Sequence, residues 1–486
     1  MMRSKLTQLL DTSDASFFLF RVFAAVLLLC LFAGVASELY FLAGIPAFLL
    51  VVYLTIVDFR KTFLLLLACI PLSTELILPN GLGTDLPTEP LMIGLMLVGL
   101  AYVVRHGKEA DGRFVRHPIT LLLFLHLAWL VVAAIHSQEW VVSVKFLLAK
   151  TWYVATFFFL AAHLLDGERE IRQFFWAVFS TLLLTVLVVM ARHATYGFSF
   201  ADVYRVLHPF YRNHVAYASI IVVFLPFIWY FRKWYPAYSR TWWLLSISLA
   251  VLLLAIQLSY TRAAYVSAVI AIGAFYAIRY RLTRYILLLA LAGVLGLVAL
   301  MAYNNRYLDY APNYETTVSH QDFNNLLQAT YTGEDISTME RVYRWVAGFH
   351  MGAERPVFGF GPRNFYNYYK SYTVTSFQTY VSDNPDKSGI HSYYLMTMAE
   401  QGLPGLFFFL LLSAYALIRG EVIYHRERTE KGRHIIMMAL LSLVIILSLL
   451  IINDLIETDK VGPFFFMNLA LLINMDLRQQ TQAADA

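Results

Sequence analysis

Long apolar stretches recur along most of the chain and are separated by short segments rich in charged residues. Each stretch predicts a membrane-spanning helix, because about 20 apolar residues in a helix cross the hydrocarbon core of a bilayer. The stretches lack the alternating pattern of barrel strands. We therefore predict an all-α fold, a polytopic integral membrane helix bundle of about 12–14 transmembrane helices, since a few stretches are short enough to be half-helices. The predicted spans are residues 16–36, 40–57, 62–79, 88–104, 118–136, 141–164, 173–193, 213–231, 241–258, 263–278, 285–303, 403–418, 435–452 and 462–476.

One segment late in the chain, residues 304–402, is far longer than the other polar segments. Residues 304–390 hold ten tyrosines, nine acidic residues and seven basic residues. This mixture is too aromatic for a disordered linker, and it predicts a folded, mostly helical cap over the membrane helices. The chain is thereby divided into N-terminal transmembrane helices (1–303), the cap (304–402), and C-terminal transmembrane helices with a short tail (403–486).

Composition supports a membrane protein and excludes several other classes. Hydrophobic residues make up 59% of the chain and charged residues 14%, which is not typical of a soluble multi-domain protein. The net charge of +5 is modest and does not indicate a nucleic-acid partner. Cys30 and Cys69 both lie in apolar stretches, so the sequence supports neither a disulfide framework nor a thiol metal site. The first apolar stretch has no clear cleavage site, and we expect it to be a retained helix.

The distribution of lysine and arginine predicts the orientation in the membrane. With the N-terminus in the cytoplasm, the cytoplasmic segments hold 22 basic residues and the opposite short loops hold four. Because cytoplasmic loops are enriched in basic residues, this split favours cytoplasmic N- and C-termini. The cap then faces the periplasm, across a bacterial inner membrane.

Two arginines lie on the side of the membrane that this bias depletes of positive charge. Arg212 belongs to Tyr211-Arg-Asn-His214, and Arg262 lies in the very short connection between two apolar helices. An arginine at such a position costs desolvation energy and indicates an anionic partner. The alternative is an arginine whose guanidinium reaches the lipid phosphates.

Further candidates lie in the cap. Residues 337–348 predict an amphipathic helix, with Ser337 or Thr338 as its N-cap and Arg341 and Arg344 on one face. A glycine-rich turn follows and contains Arg363; its amides could face an anion, although an ordinary surface turn is the simpler interpretation.

His391 lies where the cap meets the next apolar helix. An imidazole there can titrate near neutral pH and meet a lipid-borne substrate, although a hydrogen-bonded interfacial histidine has the same pattern. Gly402 and the Pro404-Gly405 pair are predicted to break the helical structure just before the apolar helix 406–417.

These residues suggest a transferase that acts outside the cytoplasm. No nucleotide is available there, so the donor must already be activated, and a sugar on a lipid diphosphate meets that need. Arginine binds a diphosphate well, because its planar guanidinium is permanently charged and can donate two parallel hydrogen bonds. We expect no cofactor and no metal. The rival interpretation is a divalent cation held by Glu457 and Asp459.

The sequence resembles a known superfamily at these residues. The string His391-Ser392, nine residues and Gly402-x-x-Gly405 is similar to the His-[Asn/Ser/Gln]-x9-Gly-x-x-Gly signature of the O-antigen ligases and O-antigen polymerases. The Thr-Arg pair at Arg262 and the Phe-Gly-x-Gly-Pro-x-Asn-Phe run that ends at Phe365 agree with it. The resemblance covers roughly residues 200–415, and fourteen predicted spans exceed the ligases' usual twelve.

The resemblance implies a function and a set of site residues. The donor would be a glycan on undecaprenyl diphosphate, and the acceptor a hydroxyl of lipid A–core or of another glycan, in an inverting, metal-independent transfer that contributes to lipopolysaccharide biosynthesis. By order and spacing, the ligases' two periplasmic arginines and loop histidine correspond to Arg262, Arg341 and His391, with Arg344 one turn from Arg341. A polymerase of lipid-linked repeat units has the same signature. A transporter or flippase of lipid-linked glycans is the third alternative, but it needs no exposed base and often has inverted repeats.

Overall fold

A computed structural model of the protein describes residues 12–37, 42, 44–77, 83–106, 112–311, 335–379, 381–384 and 388–484. Part of the predicted cap, at residues 312–334, 380 and 385–387, lies outside the described residues. The helices are α1 (Thr12–Ala36), α2 (Gly44–Val57), α3 (Phe59–Cys69), α4 (Thr88–His106), α5 (Arg113–Arg116), α6 (Pro118–Ile135), α7 (Trp140–Leu164, with a π-helical turn at Ala155–Leu160), α8 (Glu168–Ala194), α9 (Val203–Leu207), α10 (His214–Arg232), α11 (Arg240–Leu258), α12 (Arg262–Arg279), α13 (Thr283–Ala302), α14 (Ile336–Glu354), α15 (Phe365–Tyr368), α16 (Tyr393–Arg426), α17 (Glu430–Leu449) and α18 (Gly462–Ala484). Short 3₁₀ turns lie at Phe200–Asp202, Tyr303–Tyr310, Tyr369–Tyr372, Thr375–Phe377 and Leu455–Glu457.

The all-α, polytopic fold class is confirmed. Within the described residues, ten helices are long and apolar enough to cross a membrane, and the shorter apolar helices Phe20–Ala36 and Gly44–Val57 precede them. The predicted spans 403–418 and 462–476 lie inside α16 and α18. α18 has 23 residues, but it carries Asn468, Asn474 and Asp476 and is not among the ten.

The chain forms two compact units, Met1–Leu65 and Leu66–Ala486, with the division inside α3. In the first unit, α1 exposes many large apolar side chains, such as Phe20, Leu29 and Phe32. Such a surface is expected of a helix that faces lipid. In this unit the hydroxyl groups of Thr55 and Thr62 lie 3.2 Å apart and form a hydrogen bond.

The second unit is built around a few deeply buried helices. α10 and α17 have 78% and 72% of their apolar windows buried, whereas the window of Thr283–Tyr310 is 0% buried. α17 packs against α10, α12 and α18, and α16 packs against α6 and the cap helix α14. The cap helix α14 is therefore held against the other helices of this unit through α16.

The prediction of a single span at residues 62–79 is wrong. α3 ends at Cys69, and an antiparallel hairpin follows, made of β1 (Thr74–Ile77) and β2 (Gly83–Leu86). Pro71 cannot continue a helix, because it has no backbone N–H. The ammonium group of Lys460 instead donates to the carbonyl oxygens of Ile70 and Ser73, at 2.7 and 2.8 Å, and so satisfies carbonyls freed where the helix ends.

The predicted break at Gly402 is present, inside α16. Gly402 has φ +72° and ψ −177°, so the chain leaves the helical conformation there and re-enters it at once. A side chain at Gly402 would overlap the carbonyl oxygen of Val357. The amide of Leu403 donates to the Pro356 carbonyl at 2.7 Å, so the break in α16 is joined to the chain that follows α14.

Candidate active site

Arg262 is the first residue of α12, and its guanidinium joins the membrane helices to the cap. One terminal nitrogen of Arg262 lies 3.1 Å from the carboxylate of Asp335, the residue before α14. Asp335 is also the N-cap of α14 and accepts a hydrogen bond from the amide of Thr338 at 3.1 Å. The prediction of Ser337 or Thr338 as the N-cap was wrong by two or three residues, because the carboxylate of Asp335 fills that role.

Arg344 lies within α14, and its side chain is fixed by several contacts. Its guanidinium lies 3.3 Å from the carboxylate of Glu340 and 3.3 Å from the carbonyl oxygen of Gly389, two residues before His391. Glu340 in turn accepts hydrogen bonds from the hydroxyls of Thr379 and Ser382. These contacts make Arg344 a buried support for the segment that carries His391.

Arg341 lies on the same helix but has a different environment. Within the described part of the chain, its guanidinium makes no hydrogen bond and no ion pair. Burial lowers its pKa, and the neighbouring positive charges of Arg262 and Arg344 lower it further, while Asp335 opposes them. A half-buried guanidinium with more positive than negative charge around it is suited to receive an anion.

His391 is held in an unusual backbone conformation. Its φ is +57°, a region that residues other than glycine rarely adopt. Ile390 before it is fully buried against α14, where a side chain at Gly348 would overlap it. Ser392 after it is the N-cap of α16. Fixed neighbours on both sides therefore hold His391 in its strained conformation.

The surroundings of His391 favour the neutral form of its imidazole. Burial lowers its pKa from 6.5 to about 3, and the positive charges of Arg341 and Arg344 add to the effect. Among the described residues, neither ring nitrogen has a hydrogen-bond partner. The site thus combines a neutral, unbonded imidazole with two guanidiniums close enough to act on it electrostatically.

The glycine-rich turn has a structural role. The amides of Arg363 and Phe365 donate to the carboxylate of Glu400 at 2.8 and 3.1 Å, and the amide of Gly361 donates to the Glu400 carbonyl at 2.9 Å. These amides face Glu400 and not an external anion. The turn also approaches α16 so closely that a side chain at Gly359, where φ is +66°, would overlap the backbone of Glu400.

Two predicted arginines lie apart from this group. Arg212 has a 70% exposed side chain and pairs with Glu75 of β1 at 3.6 Å. The Arg363 side chain is exposed, and its φ is +67°. The structure brings together Arg262, Arg341, Arg344 and His391, and it gives Arg212 and Arg363 no described contact with them.

Gly405 packs against Gln401 and Trp129, at the break in α16.

Both carboxylates of the rival metal site have lysine partners. Glu457 lies 2.5 Å from the ammonium of Lys150, and Asp459 lies 3.3 Å from the ammonium of Lys460. Asp459 also accepts from the hydroxyl of Ser73. A cation at this position would have to compete with two ammonium groups.

Several residues of the site were not predicted from the sequence. Asp335 and Glu340 position the arginines, and Glu400 holds the turn. Only Asp335 had a signal, since aspartate is among the preferred N-cap residues and lies just before the predicted helix. Tyr204 and His214 lie within electrostatic reach of Arg341.

Comparison with known proteins supports the resemblance. Residues 247–410 match the family model described as O-antigen ligase. The match contains Arg262, Arg341, His391, Gly402 and Gly405, and it supports membership of the O-antigen ligase superfamily. The chain is thus a multi-pass membrane protein in which residues 247–410 are similar to the O-antigen ligase family. A search of curated proteins found no match.

Proposed function

We propose that the protein is a membrane glycosyltransferase of the O-antigen ligase type. It would transfer a glycan from undecaprenyl diphosphate to a hydroxyl of lipid A–core at the periplasmic face of the bacterial inner membrane, with inversion and without a metal. The observation that carries the proposal is the His391 imidazole, which has a lowered pKa and no hydrogen bond to the described residues, near Arg341 and Arg344 and with Arg262 next to them. The match to the O-antigen ligase model supports the same reaction class.

The arginines would bind the diphosphate of the donor. When the bond between the anomeric carbon and the diphosphate oxygen breaks, both electrons remain on the diphosphate, and its negative charge becomes more concentrated. Fixed guanidiniums stabilise that charge without rearrangement. In this proposal Arg341 is the central ligand, because it lacks an ion pair with the described residues. Arg262 contributes the second guanidinium.

His391 would act as the general base. The acceptor oxygen attacks the anomeric carbon from the face opposite the diphosphate, and the hydroxyl proton passes to a ring nitrogen of His391. An imidazole with a pKa of about 3 is a weak base, so the unliganded site is poorly prepared for this step. A bound diphosphate would neutralise the arginines and raise the pKa of His391, so that base strength follows donor binding.

This coupling predicts two different pH profiles. We expect kcat/KM for the donor to be flat from about pH 5 to 8, because it reports the free enzyme, in which His391 is already neutral. We expect kcat to fall at low pH, because it reports the donor complex, where the pKa of His391 is higher. The measurement is the initial transfer rate of purified protein at each pH. A kcat/KM profile that falls with a midpoint near pH 6.5 would contradict the lowered pKa of His391.

Reconstituted transfer tests the proposal as a whole. Purified protein in nanodiscs, given glycan on undecaprenyl diphosphate and lipid A–core, should form the glycan–lipid A–core product and release undecaprenyl diphosphate. We expect an equal rate in excess EDTA, because arginine supplies the positive charge. A rate that EDTA abolishes and magnesium or manganese restores would favour Glu457 and Asp459 as ligands.

The choice of acceptor separates the proposal from its alternatives. Lipid A–core as acceptor supports a ligase, whereas elongation of one lipid-linked repeat unit by another supports a polymerase. A flippase would move the donor across the bilayer without forming any new glycosidic bond. Offering both acceptors in separate reactions, with donor accessibility measured in the same nanodiscs or vesicles, distinguishes the three.

A further inference from the structure

A second histidine, His214, lies at the same group of arginines. It is the first residue of α10, and its backbone carbonyl accepts a hydrogen bond from the hydroxyl of Thr261 at 3.2 Å. Thr261 immediately precedes Arg262, so this bond ties the start of α10 to the start of α12. The His214 imidazole lies within electrostatic reach of both Arg341 and Arg262. It lies outside the matched range 247–410.

The imidazole of His214 lacks a polar partner within the described part of the chain. Its Nδ1 atom is buried, and neither ring nitrogen has a hydrogen bond with the residues that the structure describes. Buried polar atoms are normally bonded, and an unbonded one costs free energy. Tyr204 of α9 packs edge-on against the imidazole, with ring centroids 4.9 Å apart and an interplanar angle of 88°. That contact restrains the ring without satisfying its nitrogens.

His214 and His391 have Arg341 as a common neighbour. Arg341 acts electrostatically on both imidazoles, and its own guanidinium has no described ion pair. His391 belongs to the cap and His214 begins helix α10, so the two imidazoles near Arg341 come from separate parts of the chain. An anion bound to Arg341 would therefore also lie within electrostatic reach of both imidazoles.

We propose that His214 is a substrate-binding residue whose imidazole donates a hydrogen bond to the lipid diphosphate held by Arg262 and Arg341. This inference rests on the proposed function and names a further ligand at the same site. His214 would contribute to donor affinity, whereas His391 would contribute to proton transfer. Tyr204 is a positioning residue, because it touches His214 and restrains its ring.

Binding of farnesyl diphosphate, a short lipid diphosphate, tests this division of roles. Titration calorimetry on the full-length protein in detergent measures the Kd of wild type and variants. We expect His214→Ala to weaken binding by about tenfold to a hundredfold, as for loss of one hydrogen bond to a charged group. His214→Gln keeps a hydrogen-bond donor, so its Kd should lie between those of the wild type and His214→Ala. Tyr204→Leu should weaken binding by a smaller factor.

Three controls make the experiment decisive. His208→Ala changes an exposed histidine ahead of α10 and should leave the Kd unchanged. His391→Asn should bind farnesyl diphosphate nearly as wild type does while losing transfer. Farnesyl monophosphate should bind more weakly than the diphosphate, which distinguishes a diphosphate site from one for any lipid phosphate. The thermal unfolding midpoint without ligand shows whether a variant is folded.

Each outcome has a defined meaning. Weaker binding by folded His214→Ala, with partial recovery in His214→Gln, supports the proposal. Equal Kd values for wild type and both His214 variants overturn it and leave the proposed function intact. If the wild type binds no lipid diphosphate while remaining folded, the proposed donor class fails, and the role of His214 fails with it.

Discussion

Replacing His391 by asparagine is expected to reduce transfer by about 10²–10⁴-fold while leaving a folded protein, because the general base is lost. Asparagine is the informative replacement, since it tolerates the left-handed conformation better than most other residues with a side chain do. His391 has φ +57°, so alanine would add backbone strain to the loss of the imidazole. The measurement is the initial rate with saturating donor and acceptor, normalised to the amount of folded protein.

A control on the same cap separates the base from general disturbance. His350 of α14 forms a hydrogen bond with the carbonyl of Tyr372 at 3.0 Å and is not part of the arginine group. His350→Ala should therefore keep most of the transfer rate. Near-normal transfer by His391→Asn would remove the imidazole from the mechanism and leave the arginines as a binding site only.

The sequence predicted the helices well, because hydropathy reports directly whether a stretch can lie in lipid. It also predicted the break at Gly402, where the next residues include Pro404. The prediction of a span at 62–79 was wrong because it relied on the apolar character of the stretch and did not take Pro71 into account. The end of α3 also depends on Lys460, which lies 390 positions from Ile70 and could not be recognised locally.

The site was only partly predictable for a similar reason. Arg262 was expected to have an anionic partner, and Asp335 lies at 3.1 Å, but the two are 73 positions apart. The glycine-rich turn was open to two interpretations, and the carboxylate of Glu400 decides between them by accepting its amides. The lowered pKa of His391 depends on burial and on Arg341 and Arg344 of helix α14. Pattern along the chain carries no information about such contacts.

Substitution of Arg262 is expected to produce a graded loss of transfer. Arg262→Lys keeps the charge but loses the two parallel hydrogen bonds of a guanidinium. A charge-assisted hydrogen bond contributes roughly 1.5–3 kcal/mol, so the rate should fall by about one to two orders of magnitude. Arg262→Ala should fall further, because the developing charge on the diphosphate loses a fixed partner. We expect the same order at Arg341.

The ion pair with Asp335 provides an alternative explanation for such a loss. Asp335 has a side chain only 2% exposed, so Arg262→Ala leaves a buried carboxylate without its main counter-ion and could loosen the contact between α12 and the cap. The double variant Arg262→Ala/Asp335→Asn removes that buried charge. If Arg262 only joins the helices, the double variant should recover most of the rate that the single variant loses. If Arg262 binds the diphosphate, stability should recover and the rate should not.

Arg212 supplies the matched control for charge at the membrane surface. The side chain of Arg212 is 70% exposed and pairs with Glu75. Arg212→Ala therefore removes an arginine that also has a carboxylate partner but lies at the surface. We expect the rate to change by less than about threefold, as for most surface ion pairs. Rates that are equal for wild type, Arg262→Lys and Arg262→Ala would rule out diphosphate binding by Arg262.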